Sequence, residues 1–209
     1  MEHETESHLK SKLRRACIRV DRHFPAHLPR LIALTDPERT PDPVALALKL
    51  PASSGLIYRH FGSENRRTIA TELAAIAREN GITLLIGNDP ALAAIVGASG
   101  VHWPEANMAN ARRWTGRFHL MTSAAHSLEA IKRAGRIGLD AALVSTVFPS
   151  RSASAGHPFG ATRFRQLVRR APIPVYGLGG ITAKNAGIIA DYAGISAIEG
   201  IDRALSPKT

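Results

Sequence analysis

The sequence predicts an α/β protein, a single (β/α)8 TIM barrel with an extra N-terminal helix. Three observations lead there. Eight short, largely apolar segments recur after residue 30. Helix-like stretches lie between them. The midpoints of the apolar segments repeat every ~20 to 30 residues, about the length of one strand–helix step.

Residues 1–29 form an N-terminal helical extension, and residues 30–209 form the barrel. Within the extension, residues 5–20 suit a basic amphipathic helix, with Leu9, Leu13, Cys17 and Val20 at helical spacing. The strands are expected at 31–34, 55–58, 82–86, 100–102, 118–121, 141–145, 175–178 and 195–198. Continuous apolar runs of this kind suit parallel strands buried on both faces. Helices are expected after Pro43, over 68–79, after Pro90, and over 127–134, 164–170 and 183–192. Proline fits the first turn of a helix, where its missing N–H costs nothing. Gly81 and Gly135 lie where helices should end. A doubly wound open sheet is the alternative. No glycine-rich fingerprint follows the first strand, where Leu34-Thr35-Asp36-Pro37 stands instead.

Composition narrows the function. The chain has 209 residues, 44% hydrophobic and 21% charged, which is ordinary globular usage. No apolar run reaches the ~18 residues of a membrane span. The single cysteine, Cys17, excludes an intrachain disulfide and a cysteine-based zinc site within one chain. The 27 Lys and Arg exceed the 17 Asp and Glu by ten, which favours anionic partners. The doublets Arg14-Arg15, Arg66-Arg67, Arg112-Arg113 and Arg169-Arg170 are dispersed, and aromatics are only 5% of the chain. A nucleic-acid stacking surface is therefore not expected, which leaves phosphorylated small molecules. Residues 1–11 lack the apolar core of a signal peptide and carry acidic residues unlike a transit peptide, so the expected location is cytoplasmic.

In this architecture the chemistry belongs at the C-terminal ends of the strands. After the seventh strand, Gly177-Leu178-Gly179-Gly180-Ile181-Thr182 can bring backbone N–H groups close to a phosphate, with Thr182 capping a following helix. After the third, Gly87-Asn88-Asp89-Pro90 offers a carboxylate for a hard cation, or an N-cap. After the second, Arg59 can grip a phosphate bidentately. His102, Trp103, Glu105 and Asn107 follow the fourth. His126, after the fifth, suits an acid/base or a hydrogen-bonding role at a helix start. Ser150 and Arg151, after the sixth, suit an oxyanion or a solvated turn.

These residues, in this order, resemble the thiamin phosphate synthase and thiazole tautomerase superfamily from about residue 30 to 201. The likeness is carried by Ile86-Gly87-Asn88-Asp89, Gly97-Ala98-Ser99-Gly100-Val101-His102, Ala125-His126-Ser127-Leu128-Glu129-Ala130, Val147-Phe148-Pro149-Ser150 and Pro174-Val175-Tyr176-Gly177-Leu178-Gly179-Gly180-Ile181-Thr182. The resemblance implies coupling of hydroxymethylpyrimidine diphosphate with thiazole phosphate, with release of pyrophosphate. Arg59 and Asn88 would hold the diphosphate, Asp89 would bind Mg²⁺, and Gly179 and Gly180 would hold the thiazole phosphate. A homodimer is also implied. The tautomerase branch implies proton transfer by His126 instead. Five positions depart from the synthase pattern: Ile57 and Phe61 flank Arg59, Asn107 stands for a second acidic metal ligand, Ala153 for a lysine, and Glu199 for a serine. Ala124 also stands for a frequent serine. A barrel that binds a phosphorylated ligand without turnover is the third reading.

Overall fold

The computed structural model describes residues 5–150 and 156–205. Eight parallel strands close in chain order: β1 (Leu31–Leu34), β2 (Gly55–Tyr58), β3 (Thr83–Gly87), β4 (Gly100–Trp103), β5 (Leu120–Ala125), β6 (Ala141–Val144), β7 (Val175–Gly177) and β8 (Gly194–Ala197). Closure is direct, because β8 pairs with β1 through Leu31–Ile195, Ile32–Ser196 and Ala33–Ala197. The sheet therefore has no edge, and the barrel replaces the doubly wound alternative. Nearly every strand residue is buried, as the continuous apolar runs require.

The helices are α1 (Glu6–Asp21), α2 (Pro43–Lys49), α3 (Arg66–Asn80), α4 (Pro90–Val96), α5 (Leu128–Ile137), α6 (Gly160–Arg169) and α7 (Asp202–Leu205). Both proline starts form as expected. Asp42 and Asp89 cap α2 and α4, each carboxylate accepting a backbone N–H three residues on. Helix α5 passes through Gly135 and stops at Gly138, whose φ of +88° suits the left-handed cap.

Three elements differ from expectation. β5 begins at Leu120, because Phe118 is drawn out against Trp114, with ring centroids 5.8 Å apart. The link from β4 to β5 is a 3-10 segment, Glu105–Trp114. The helix expected over 183–192 is only a 3-10 turn, Ala186–Ile188. The Asn185 side chain explains the last. Its Oδ1 accepts the Thr182 N–H and its Nδ2 donates to the Gly180 carbonyl, so the backbone turns back instead of propagating a helix.

Candidate functional site

A cavity of about 580 Å³ opens at the C-terminal ends of the strands. That volume suits a small-molecule ligand. Arg39, Arg59, Phe61, His102, His126, Ser150, Gly179, Gly180 and Glu199 are among its lining residues. The strand order brings them together from loops that are remote in sequence.

Arg59 follows β2 directly, and its amide donates to Thr35 Oγ1 at 2.8 Å. Burial lowers its pKa from the ordinary arginine value, Asp36 opposes that, and Arg39 reinforces it. Arginine nonetheless keeps its charge in proteins. Arg39 was not singled out from sequence. It enters the cavity from the loop after β1, where its Nη2 donates to Asp36 Oδ2 at 2.9 Å. A turn in which Asp36 also accepts the Glu38 and Arg39 amides holds the pair.

Across the cavity, Gly179 and Gly180 have φ of +86° and +64°. Their loop packs tightly on the segment after β6: Phe148 donates its N–H to the Gly179 carbonyl at 3.0 Å. A Cβ at Gly180 would stand 2.4 Å from the Pro149 carbonyl oxygen. Glycine is required here by space and by conformation. With only a 3-10 turn behind it, the loop offers an anion its own amides rather than the end of a long helix. Glu199 lines the same rim. Arg151 and Ala153 lie outside the described residues.

His126 stands just before α5, and Ser127 caps that helix by accepting the Ala130 N–H at 3.1 Å. The ring Nδ1 and the backbone N–H of His126 both lie 2.9 Å from Glu105 Oε2, while Arg133 donates to Glu105 Oε1 at 2.8 Å. Partial burial alone would raise the Glu105 pKa. The hydrogen bonds and charge of His126, with the charge of Arg133, outweigh it and hold the carboxyl below the usual glutamate value. Glu105 thus fixes the ring on one side and leaves Nε2 as the atom for a ligand. At the cavity floor, His102 Nδ1 is 2.9 Å from Thr122 Oγ1, and burial, aided by the charge of Arg59, lowers its pKa to about 3. It is a neutral imidazole at any ordinary pH.

Asn88 and Asp89 are not among the residues lining the cavity. Asn88, at φ +52°, accepts from Asn107 Nδ2 at 3.2 Å. Asp89 Oδ1 accepts the Leu92 N–H, and Oδ2 accepts from Arg66 Nη1 at 2.8 Å. Arg66 Nη2 is also donated, to the Gly87 carbonyl at 2.8 Å. Among the described residues no group of three His, Cys, Asp or Glu side chains could hold a metal ion. The carboxylate set aside for Mg²⁺ is engaged by a guanidinium, and its neighbour Asn107 is neutral. These residues as arranged do not fit a divalent cation.

Comparisons with known proteins bear on the family and the fold. A family model described as thiamine monophosphate synthase matches residues 37–201. The thiamine-phosphate synthase of Bacillus velezensis is 32% identical over 180 residues, covering 80% of each chain. That of Chlorobium luteolum is 30% identical, over 87% of this chain and 89% of its own. Among solved structures, thiamine phosphate pyrophosphorylase from Pyrococcus furiosus superposes with a TM-score of 0.71 at 23% identity, over 86% of this chain and 91% of that one. At that identity the likeness speaks for the barrel fold.

Proposed function

The chain belongs to the thiamine monophosphate synthase family, and from that membership we propose that it couples hydroxymethylpyrimidine diphosphate with thiazole phosphate to give thiamin phosphate and pyrophosphate. The single observation that carries the reading is the cavity at the strand ends, which Arg39, Arg59 and the Gly179-Gly180 loop line together. In the reaction the thiazole nitrogen forms a bond to the pyrimidine methylene carbon. The bond from that carbon to the diphosphate oxygen breaks, and pyrophosphate leaves with the electron pair. Guanidinium groups that bond to the diphosphate stabilise the charge growing on it as it departs. The glycine loop suits the phosphate of the other substrate, as its conformation allows close backbone approach. Ser150, on the cavity wall, belongs to the same anion-binding rim. Mg²⁺ serves such chemistry in the family, whereas the Asp89 corner of this chain, engaged by Arg66 and the start of α4, does not fit it.

Purified protein mixed with both substrates should form thiamin phosphate, detected by chromatography, and Arg59→Ala should lower the rate by about a hundredfold or more. No product over a range of pH and metal conditions would refute the synthase reading.

One observation favours a second reading. The Glu105–His126 pair is built as a carboxylate-oriented imidazole, which suits proton transfer on a carboxythiazole phosphate of the tautomerase kind. Isomerisation that survives His126→Ala would exclude it. Among the described residues no helix is long and apolar enough to cross a membrane. A cytoplasmic homodimer accompanies the proposed activity, and light scattering tests the dimer.

A further inference from the structure

The Asp89 corner departs from the chemistry that the family implies, and the departure is built from charged groups. Asp89 has both oxygens engaged, one by the N-terminus of α4 and one by Arg66. Arg66 is held from three sides: by Asp89, by the Gly87 carbonyl, and by the Phe61 ring, whose centroid lies 5.4 Å from the guanidinium carbon. Phe61 in turn lines the cavity and packs over Gly87, so its ring stands between the cavity and this corner. The side chains of the pair are 17% and 30% exposed, which limits screening by solvent. The remaining side chains there, Asn88 and Asn107, are neutral amides bonded to each other. A dication entering would meet a fixed positive charge and one carboxylate already neutralised. Mg²⁺ needs oxygen ligands that are free to point at it.

We infer that Arg66 takes the place of a divalent cation at Asp89, and that the charge of a bound diphosphate is met in the cavity by Arg39 and Arg59 without metal. Arg39 becomes an anion-binding residue on this reading. Asp36 occupies Nη2 of Arg39, and a guanidinium has further N–H donors with which to bond a ligand oxygen. The inference rests on the proposed binding of a phosphorylated substrate in the cavity.

Two measurements on the full chain test it. The first is calorimetric titration with sodium pyrophosphate, in EDTA and in millimolar Mg²⁺. The expected dissociation constants agree within about twofold, and Arg39→Ala weakens binding in EDTA by about fivefold or more. Tightening of about tenfold on adding Mg²⁺, worth about 1.4 kcal/mol, overturns the inference, and an unchanged Arg39→Ala removes Arg39 from it. The second is Mn²⁺ binding by electron paramagnetic resonance. Wild type is expected to show no bound ion, whereas Arg66→Ala combined with Asn107→Asp binds Mn²⁺ at least about tenfold more tightly. Mn²⁺ bound by wild type, or equal binding by the two proteins, counts against Arg66 as the occupant. Failure to form thiamin phosphate with the expected Mn²⁺ pattern would defeat the proposed reaction and leave the inference standing. Thiamin phosphate formed by a wild type that binds Mn²⁺ would do the reverse.

Discussion

His102 shows how one side chain ties the cavity to stability. Its ring is buried at the floor, beside Thr122 and within the field of Arg59. The unfolded chain titrates this histidine near pH 6.5, whereas the fold lowers the pKa to about 3. Between those values the unfolded state takes up a proton that the native state refuses. Stability is therefore lost as pH falls through that window. His102→Gln removes the titration, so its melting temperature should decline less steeply than that of wild type between pH 7 and 4.5. Parallel declines would show that the imidazole titrates normally. On the rim, Glu199 places a negative charge beside the glycine loop. Glu199→Ser should bind inorganic phosphate several-fold more tightly by calorimetry, an effect that shrinks in high salt. That Arg59, Gly180 and His126 line the cavity was legible because each sits at a fixed offset from a strand end. Arg39 was not singled out, and the partners of Arg66 and Glu105 could not be read, since they depend on neighbours. Arg66 meets Asp89 across 23 positions and Glu105 meets His126 across 21, distances at which local pattern carries no information.

The elements that position the site follow the same division. Strands buried on both faces are written as apolar runs, and seven of the eight expected segments lie within one residue of the observed bounds. β5 is the exception, as aromatic packing between Trp114 and Phe118 sets its start. The turn after β7 is the other instructive case. Residues 183–192 have helical spacing, yet the Asn185 side chain bonds on both sides of the loop and stops propagation. That bracing fixes Gly180 against the chain after β6. Gly180→Ala should cost about 1–3 kcal/mol for the left-handed backbone alone, with more for the contact at the Pro149 carbonyl. Chemical denaturation measures the loss, and phosphate affinity should fall with it. A variant as stable as wild type would mean that the loop shifts freely, and that the close packing does not hold the anion site.

At the scale of the molecule, the N-terminal extension behaves as part of the barrel wall. The sequence marks residues 1–29 off because they precede the first strand and carry no strand of their own. Packing joins residues 5–29 to the rest. The α1 face of Leu9, Leu13, Ala16 and Val20 enters the same apolar core as the strands, against β8, α7 and the 3-10 turn at Ala186–Ile188. Polar contacts pin the helix in register: Arg19 pairs with Asp191, and His23 Nε2 lies 2.9 Å from the Ala190 carbonyl. The helix thus covers the flank where the turn after β7 leaves no long helix of its own. Burial and charge make different forecasts for this contact. Leu13, only 4% exposed, should cost about 2–5 kcal/mol when cut to alanine, through lost transfer energy and the cavity left behind. Arg19→Ala breaks an exposed pair and should cost at most about 1 kcal/mol. Denaturant titration of the two variants separates the cases. Equal, small losses would mean that α1 docks only loosely. A large loss for Leu13→Ala alone would mean that the barrel needs this helix to close its core, and that a chain lacking residues 1–22 should fail to fold cooperatively.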